Sequence, residues 1–324
     1  LASATTTVIT GQMALQGGSA NFVVNDGAAS PDLEFASGST LVDDGTATAL
    51  LTAGSGSLEL GSGNYAYTGP TTLTDTTLTI DGTTVVSSPI LVGPGATLAG
   101  EGSLDAVRAI GGGTIAPGNS PGILATGDFT VDGGTLEIEL GGGPVVVPGS
   151  SYDQVDVTGT VNLGGRLDLL QIGLTGVGTE FIIINNDGAN AVGSSTPGDT
   201  SDDTFAGLPD GFQFTDGGTT YTINYDGGDG NDVVLTVDAV AASADYWDGG
   251  GDGLSWNDPL NWSGNVVPGA GRDVFIDVAG SPTIDFNTTA TIANLQTAED
   301  ISFTGGELTV TGSAQVEATA TIDG

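Results

Sequence analysis

GSGSLELGSGNYAYTGPTTLTDTTLTIDG, residues 54–82, decides how the chain folds, and TIAPGNSPGILATGDFTVDGGTLEIEL, residues 114–140, repeats its habit. Both consist of very short runs in which apolar residues alternate with Thr, Ser or Glu, each stopped by Gly, Asp-Gly or Pro-Gly. Runs that short make neither long helices nor wide sheets. They read as rungs of a stacked solenoid, each turn of chain burying its apolar side against the turns above and below. A period of two sends Leu78 and Ile80 inward and Thr77 and Thr79 outward. The same alternation puts Leu136, Ile138 and Leu140 inside with Glu137 and Glu139 outside, and Leu167 and Leu169 inside with Asp168 outside. Short strands continue to about Leu174, enough for roughly seven to nine turns spaced about 4.8 Å apart, a rod on the order of 40 Å long.

Composition bounds the function. The 324 residues carry a formal net charge of -37, with no Cys, no His, 56 Gly and only three cations, Arg108, Arg166 and Arg272. At 38% hydrophobic the chain can build a core, so it is not a disordered acidic tail. Nucleic acid and anionic membrane are poor partners, because neutralising phosphate takes clustered Lys and Arg. Self-repulsion on this scale calls for a salty medium or for bound divalent cations. Without Cys there is no disulfide framework. No apolar run approaches 18 residues, so no membrane-spanning segment is expected.

Residues 54–82 also carry a resemblance. With Leu58-Glu59-Leu60, the turn at residues 64–69 and the Thr-rich residues 71–80, the stretch resembles the autotransporter-associated β-strand repeat of bacterial surface proteins. NFVVNDGAASPDLEF at residues 21–35 is similar to the segment that commonly precedes that repeat, and APGNSPG at 116–122 and GGTLEIEL at 133–140 are further matches. FIIINNDGANAV, TFAGLPDGF and YTINYDGGDGNDVVLTV, between residues 181 and 237, resemble the closing segment of repeats in large bacterial surface proteins. The resemblance implies a right-handed β-helix on a secreted or surface-anchored protein, with no enzyme activity.

The organisation expected is all-β: a right-handed β-helical solenoid over residues 1–175, a closing β segment with hairpins over 176–240, a Trp-rich module over 241–285, and the start of a further β-helical stretch over 286–324. In the second segment, residues 181–184 are a continuous apolar run, 194–203 a polar loop, and Asp216-Gly217-Gly218 and Asp226-Gly227-Gly228 hairpin turns. Whether this segment is a small sandwich or an irregular continuation of the solenoid is open at this level. Residues 238–245 read as a small-residue linker. The Trp-rich module resembles the segment that opens repeat units in such proteins, so the chain reads as one period of a longer linear array.

Four groups of residues are candidates for chemistry. Asp226, Asp229 and Asp232 lie in GGDGNDVVL, residues 227–235, with Asp226 just before it; this fits the nonapeptide of calcium-binding β-rolls, where Gly lets carbonyls converge beside Asp carboxylates on Ca²⁺. One copy supplies half of such a site, and the alternative is a plain Gly-Asp hairpin turn. Trp247, Trp256 and Trp262 could stack on sugar rings or could form the core of their module. In the same module, Asp248 and Asp252 are a possible cation pair. Glu137 and Glu139 have the spacing of a glycosidase pair, against a solvated edge as the alternative. No nucleophile triad, zinc spacing or phosphate loop is present.

The expected function is structural: the shaft of an extracellular surface protein or filament, self-assembled by head-to-tail stacking or covalent tandem repeats, with no cofactor beyond Ca²⁺ at the Asp trio. A carbohydrate-binding adhesin acting through the three Trp is the alternative, with an extracellular glycan as partner. A polysaccharide lyase is a distant third, since such enzymes typically need a cationic base beside a Ca²⁺ carboxylate cluster and this chain offers no Lys, no His and three scattered Arg.

Overall fold

The computed structural model describes residues 5–322, except 28, 44–48, 82–84, 87, 142–145, 173–175, 189–190, 193–203, 241–243, 279–281 and 317–319. The polar loop expected at 194–203 and the middle of the expected linker therefore lie outside the described residues. What is described is all-β: short strands, one 3-10 turn at Pro259–Asn261, and no helix able to cross a membrane.

The alternation of residues 54–82 sets the pattern. Ser57–Leu60 and Thr77–Ile80 pair in parallel with no offset, Leu58 facing Leu78 and Leu60 facing Ile80. The same face continues on both sides into an eight-stranded parallel sheet: Thr7–Ile9, Leu33–Phe35, Ser57–Leu60, Thr77–Ile80, Thr97–Gly100, Thr114–Pro117, Thr135–Leu140 and Arg166–Gln171. Between visits to it the chain adds strands to a 16-stranded second sheet, parallel through Asn64–Ala66, Val85–Val86, Ser103–Ile110, Ile123–Asp132 and Gln154–Val157. In-register pairing lines up one inward row, Leu33, Leu58, Leu78, Leu98, Ile115, Leu136 and Leu167. The five middle members are fully buried. Each methylene withdrawn from water in such a row contributes about 0.8 kcal/mol.

Corners between the sheets are set by specific residues. The Thr-rich residues 71–80, a single strand in the repeat they resemble, form two here, Thr71–Thr74 and Thr77–Ile80, in different sheets. The break is Asp75, at φ 54, followed by buried Thr76, whose hydroxyl donates to the Gly56 carbonyl 20 residues earlier. A run of Thr has no apolar alternation to mark that corner. At Gly118, φ is 92 and a Cβ would lie 2.2 Å from the Gly122 nitrogen, so the two turns of APGNSPG close only around glycine.

Residues 176–240 continue the second sheet. Glu180–Asn186 pairs with Gln154–Val157 and then, antiparallel, with Asp232–Val240, which pairs with Thr219–Gly227 and that with Gln213–Asp216. A register shift between Ile182 and Ile184 lets Ile183 and Ile184 both point inward, which accounts for an apolar run with no alternation. The turn at Gly217 and Gly218 has positive φ at both positions, the two-residue geometry that suits the twist of a hairpin. One core runs from Leu15 to Val237, so residues up to 240 form one body.

The second body repeats the habit. Ala244–Tyr246, Asp273–Ile276, Asn294–Thr297 and Ala314–Val316 stack in parallel, as do Ile284–Phe286, Ile301–Phe303 and Ala320–Ile322, and Thr289–Ile292 with Glu307–Val310. Its core joins the three Trp to Val274, Ile276, Ile284, Phe286, Ile292, Leu295 and Ile301. The Trp-rich residues and the stretch after them thus share one interior. Four expected segments resolve into two cores.

Candidate functional site: a carboxylate-lined junction

The three Trp are wholly buried. Trp262 meets Trp247 and Trp256 edge to face at 4.9 and 4.7 Å, and Trp256 packs on Phe286. Trp262 Nε1 donates to the Trp256 carbonyl at 2.8 Å. No ring face is left for a sugar, so the stacking platform is corrected to a core: three large apolar rings find more area in one another than at the surface. The Gly-rich loop beside them is organised by buried Asn261, whose Oδ1 accepts from the Gly251 and Gly253 nitrogens and whose Nδ2 donates to Asp252 and the Ser255 carbonyl. Asp252 Oδ1 also accepts from the Leu254 and Ser255 nitrogens, bonds that hold its carboxyl below the usual range. The Asp248 carboxylate accepts from the Gly250 nitrogen. Both acids are absorbed in shaping the loop.

The Asp trio does not converge. Asp226 and Asp229 are exposed on the hairpin, whereas Asp232 is buried and accepts from the Asn186 nitrogen at 2.8 Å. Its carboxylate lies under Gly228, where a Cβ would come within 1.7 Å of Oδ2. Asp232 thus holds the hairpin to the preceding strand. Among the described residues no group of three or more acidic side chains is arranged to hold a metal ion.

The outward face of Thr135–Leu140 holds the unexpected result. Glu139, expected in solvent, is buried. It lines a pocket of about 310 Å³ with Ser120 and Ile172 of the first body and Trp247, Asp248 and Val278 of the second. The second body covers this face, which is why outward position did not mean exposure. Glu139 Oε1 accepts from the Ser120 hydroxyl at 3.0 Å, while Oε2 has no partner among the described residues. Behind it, buried Asp153 accepts from the Gly122 and Glu139 nitrogens at 2.8 and 2.9 Å, clamping the APGNSPG turn to the sheet. Burial, reinforced by the Glu139 and Glu137 charges, pushes the Asp153 carboxyl up to about 7 against the pull of those two N–H bonds.

Next to it lies a more enclosed cavity of about 110 Å³, lined by Arg166, Asp168, Gln171 and Asp216 from the first body and Tyr246, Phe275, Asp277 and Gln296 from the second. In-register pairing sets Glu137 directly opposite Asp168, like charges about 5 Å apart. Glu137 is raised by burial first, then by Asp168 and Glu139. Asp277 is pushed up to about 7 by burial and then by Asp216, Asp168, Glu299 and Glu137. Glu299 is buried, raised by burial, and holds Val278 through its backbone nitrogen. A neutral contact crosses the junction: Thr219 Oγ1 lies 3.1 Å from the Tyr246 hydroxyl, while within the first body it donates to Gln171 at 3.0 Å and Gln171 Nε2 donates to the Asp216 carbonyl. Phe275 packs over Gly218, where a Cβ would lie 2.4 Å from its ring.

Asp153, Asp277, Glu299 and Asn261 were not singled out from sequence. The usable signal was apolar side chains at outward positions, Leu170, Ile172 and Phe275, which mark a covered face. No protein-family model matches the chain, and no curated protein matches it significantly.

Proposed function

We propose that this chain winds as a right-handed β-helix and serves as the structural, non-catalytic shaft of an extracellular surface protein or filament. The observation that carries the reading is register: seven inward aliphatic residues line up across seven parallel strands without offset. Such a stack is quasi-one-dimensional, each turn of chain held by its neighbours, and grows by adding turns. Parallel crossovers are right-handed in nearly all known cases, which supports the handedness. Among the described residues, Thr7–Ile9 and Gln12–Leu15 at one end, and Glu307–Val310 and Ala314–Val316 at the other, each pair on one side alone. Head-to-tail stacking of such units, covalent or not, is a heterologous contact, which extends rather than closes. The likeness of residues 54–82 to the autotransporter-associated repeat points the same way.

Negative-stain electron microscopy of the native material tests the proposal together with a glycan array. Unbranched filaments and no specific glycan signal are expected. Compact isolated particles that retain a defined glycan would overturn it.

A further inference from the structure

Asp277 follows the strand Asp273–Ile276 on its outward side, the side on which Phe275 meets Gly218 of the first body. Every element around it presents acid. Thr135–Leu140 brings Glu137, Arg166–Gln171 brings Asp168, and Gln213–Asp216 brings Asp216. Within its own body Glu299 faces it, with Asp300 behind Glu299, Asp273 on the same strand and the Tyr246 hydroxyl on the neighbouring strand. The one cation lining the cavity, Arg166, is bonded to Asp168 at 3.1 Å. The contacts that cross between the bodies here are neutral: the Thr219–Tyr246 hydroxyl pair and the Phe275 ring over Gly218.

We propose that this junction is a proton-operated latch, in which a protonated Asp277 seats the second body against the first and an ionised Asp277 drives them apart. Like charges facing one another across a cavity of about 110 Å³ repel with little water to screen them. One added proton removes the central charge of the set and supplies a donor to the carboxylates around it. Burial and then the surrounding charges raise the Asp277 carboxyl from 3.8 to about 7 while the bodies are seated, so the seated state is favoured in acid and loses that advantage as pH rises through about 7. The inference stands apart from the shaft reading, since it needs only that the two bodies meet here.

The chain has no Cys, so spin labels can be placed at Ser103→Cys in the first body and Thr309→Cys in the second, both exposed. Double electron–electron resonance then reads the distance between bodies at pH values from 5 to 9. A narrow distribution at pH 5 that has broadened and lengthened by pH 9 is expected. Asp277→Asn should keep the narrow distribution throughout, and Asp216→Asn, which removes one facing charge, should shrink the change. Asp229→Asn, on the exposed hairpin, should leave it intact. A distribution that stays the same from pH 5 to 9, or an undiminished transition in Asp277→Asn, would overturn the proposal.

Discussion

Leu78 and Thr79 are neighbours in sequence and opposites in physics. Leu78 sits between Leu58 and Leu98 with no access to water, whereas Thr79 sits between Glu59 and Ala99 on the outward side. Leu78→Asp places an unpaired carboxylate in the row and should cost at least about 3 kcal/mol, or unfold the stack around it. Thr79→Asp adds one like charge beside Glu59 and should cost about 1 kcal/mol or less. Urea titration of both variants checks the contrast, and similar midpoints would reverse the assignment of faces. Asp153 offers a second test. Its carboxyl is raised from 3.8 to about 7 in the fold, so the folded state holds the extra proton between those values. The stability it contributes is complete below about pH 4 and is lost as pH rises through about 7. Unfolding titrations at pH 5 and pH 8 should show the chain weaker at pH 8, with a smaller difference in Asp153→Asn. An equal difference in the two chains would place the effect elsewhere.

At the scale of strands and turns, pairing geometry makes a direct prediction. Thr79 and Ala99 are register partners on the outward side, at the separation a disulfide spans. Thr79→Cys with Ala99→Cys should oxidise readily, while Thr79→Cys with Thr97→Cys, one step away on the same face, should not. Free-thiol titration after mild oxidation reads the outcome, and the reverse order would mean a shifted register. How far the sequence revealed these elements depended on what it encoded locally. Alternation located Thr77–Ile80 and Thr135–Leu140 and their faces, and Asp-Gly-Gly located the hairpin turn at Gly217 and Gly218; at residues 226–228 it ran early, since Asp226 and Gly227 still belong to the strand and the turn is 228–231. The corner inside residues 71–80 was hidden because Thr serves equally inside, outside and at a bend. The junction was hidden because it pairs segments far apart in the chain: Glu139 looks like a solvated strand residue until the second body covers it. The Trp residues suited a core and a stacking platform alike, because a count of rings does not say what covers them, and GGDGNDVVL suggested an ion site because a motif lists residue types and not where Asp232 points.

The whole molecule combines a net charge of -37 with a ladder of neutral backbone bonds, and the two pull against each other. Each Arg is already paired, with Asp132, Asp168 or Asp245, so the remaining acids repel through solvent. Raising NaCl from about 10 to about 150 mM shortens the screening length from about 30 to about 8 Å and should raise the melting temperature. An unchanged temperature, read by circular dichroism, would mean that the surface charge is not destabilising. If the chain is a shaft, its long axis is the direction in which strands stack, and that direction carries a repeat of about 4.8 Å. X-ray diffraction from aligned fibres of the native material reads it. The 4.8 Å reflection should fall on the meridian, along the fibre. A reflection on the equator, or none at that spacing, would mean that load does not run along the stack and would contradict the shaft.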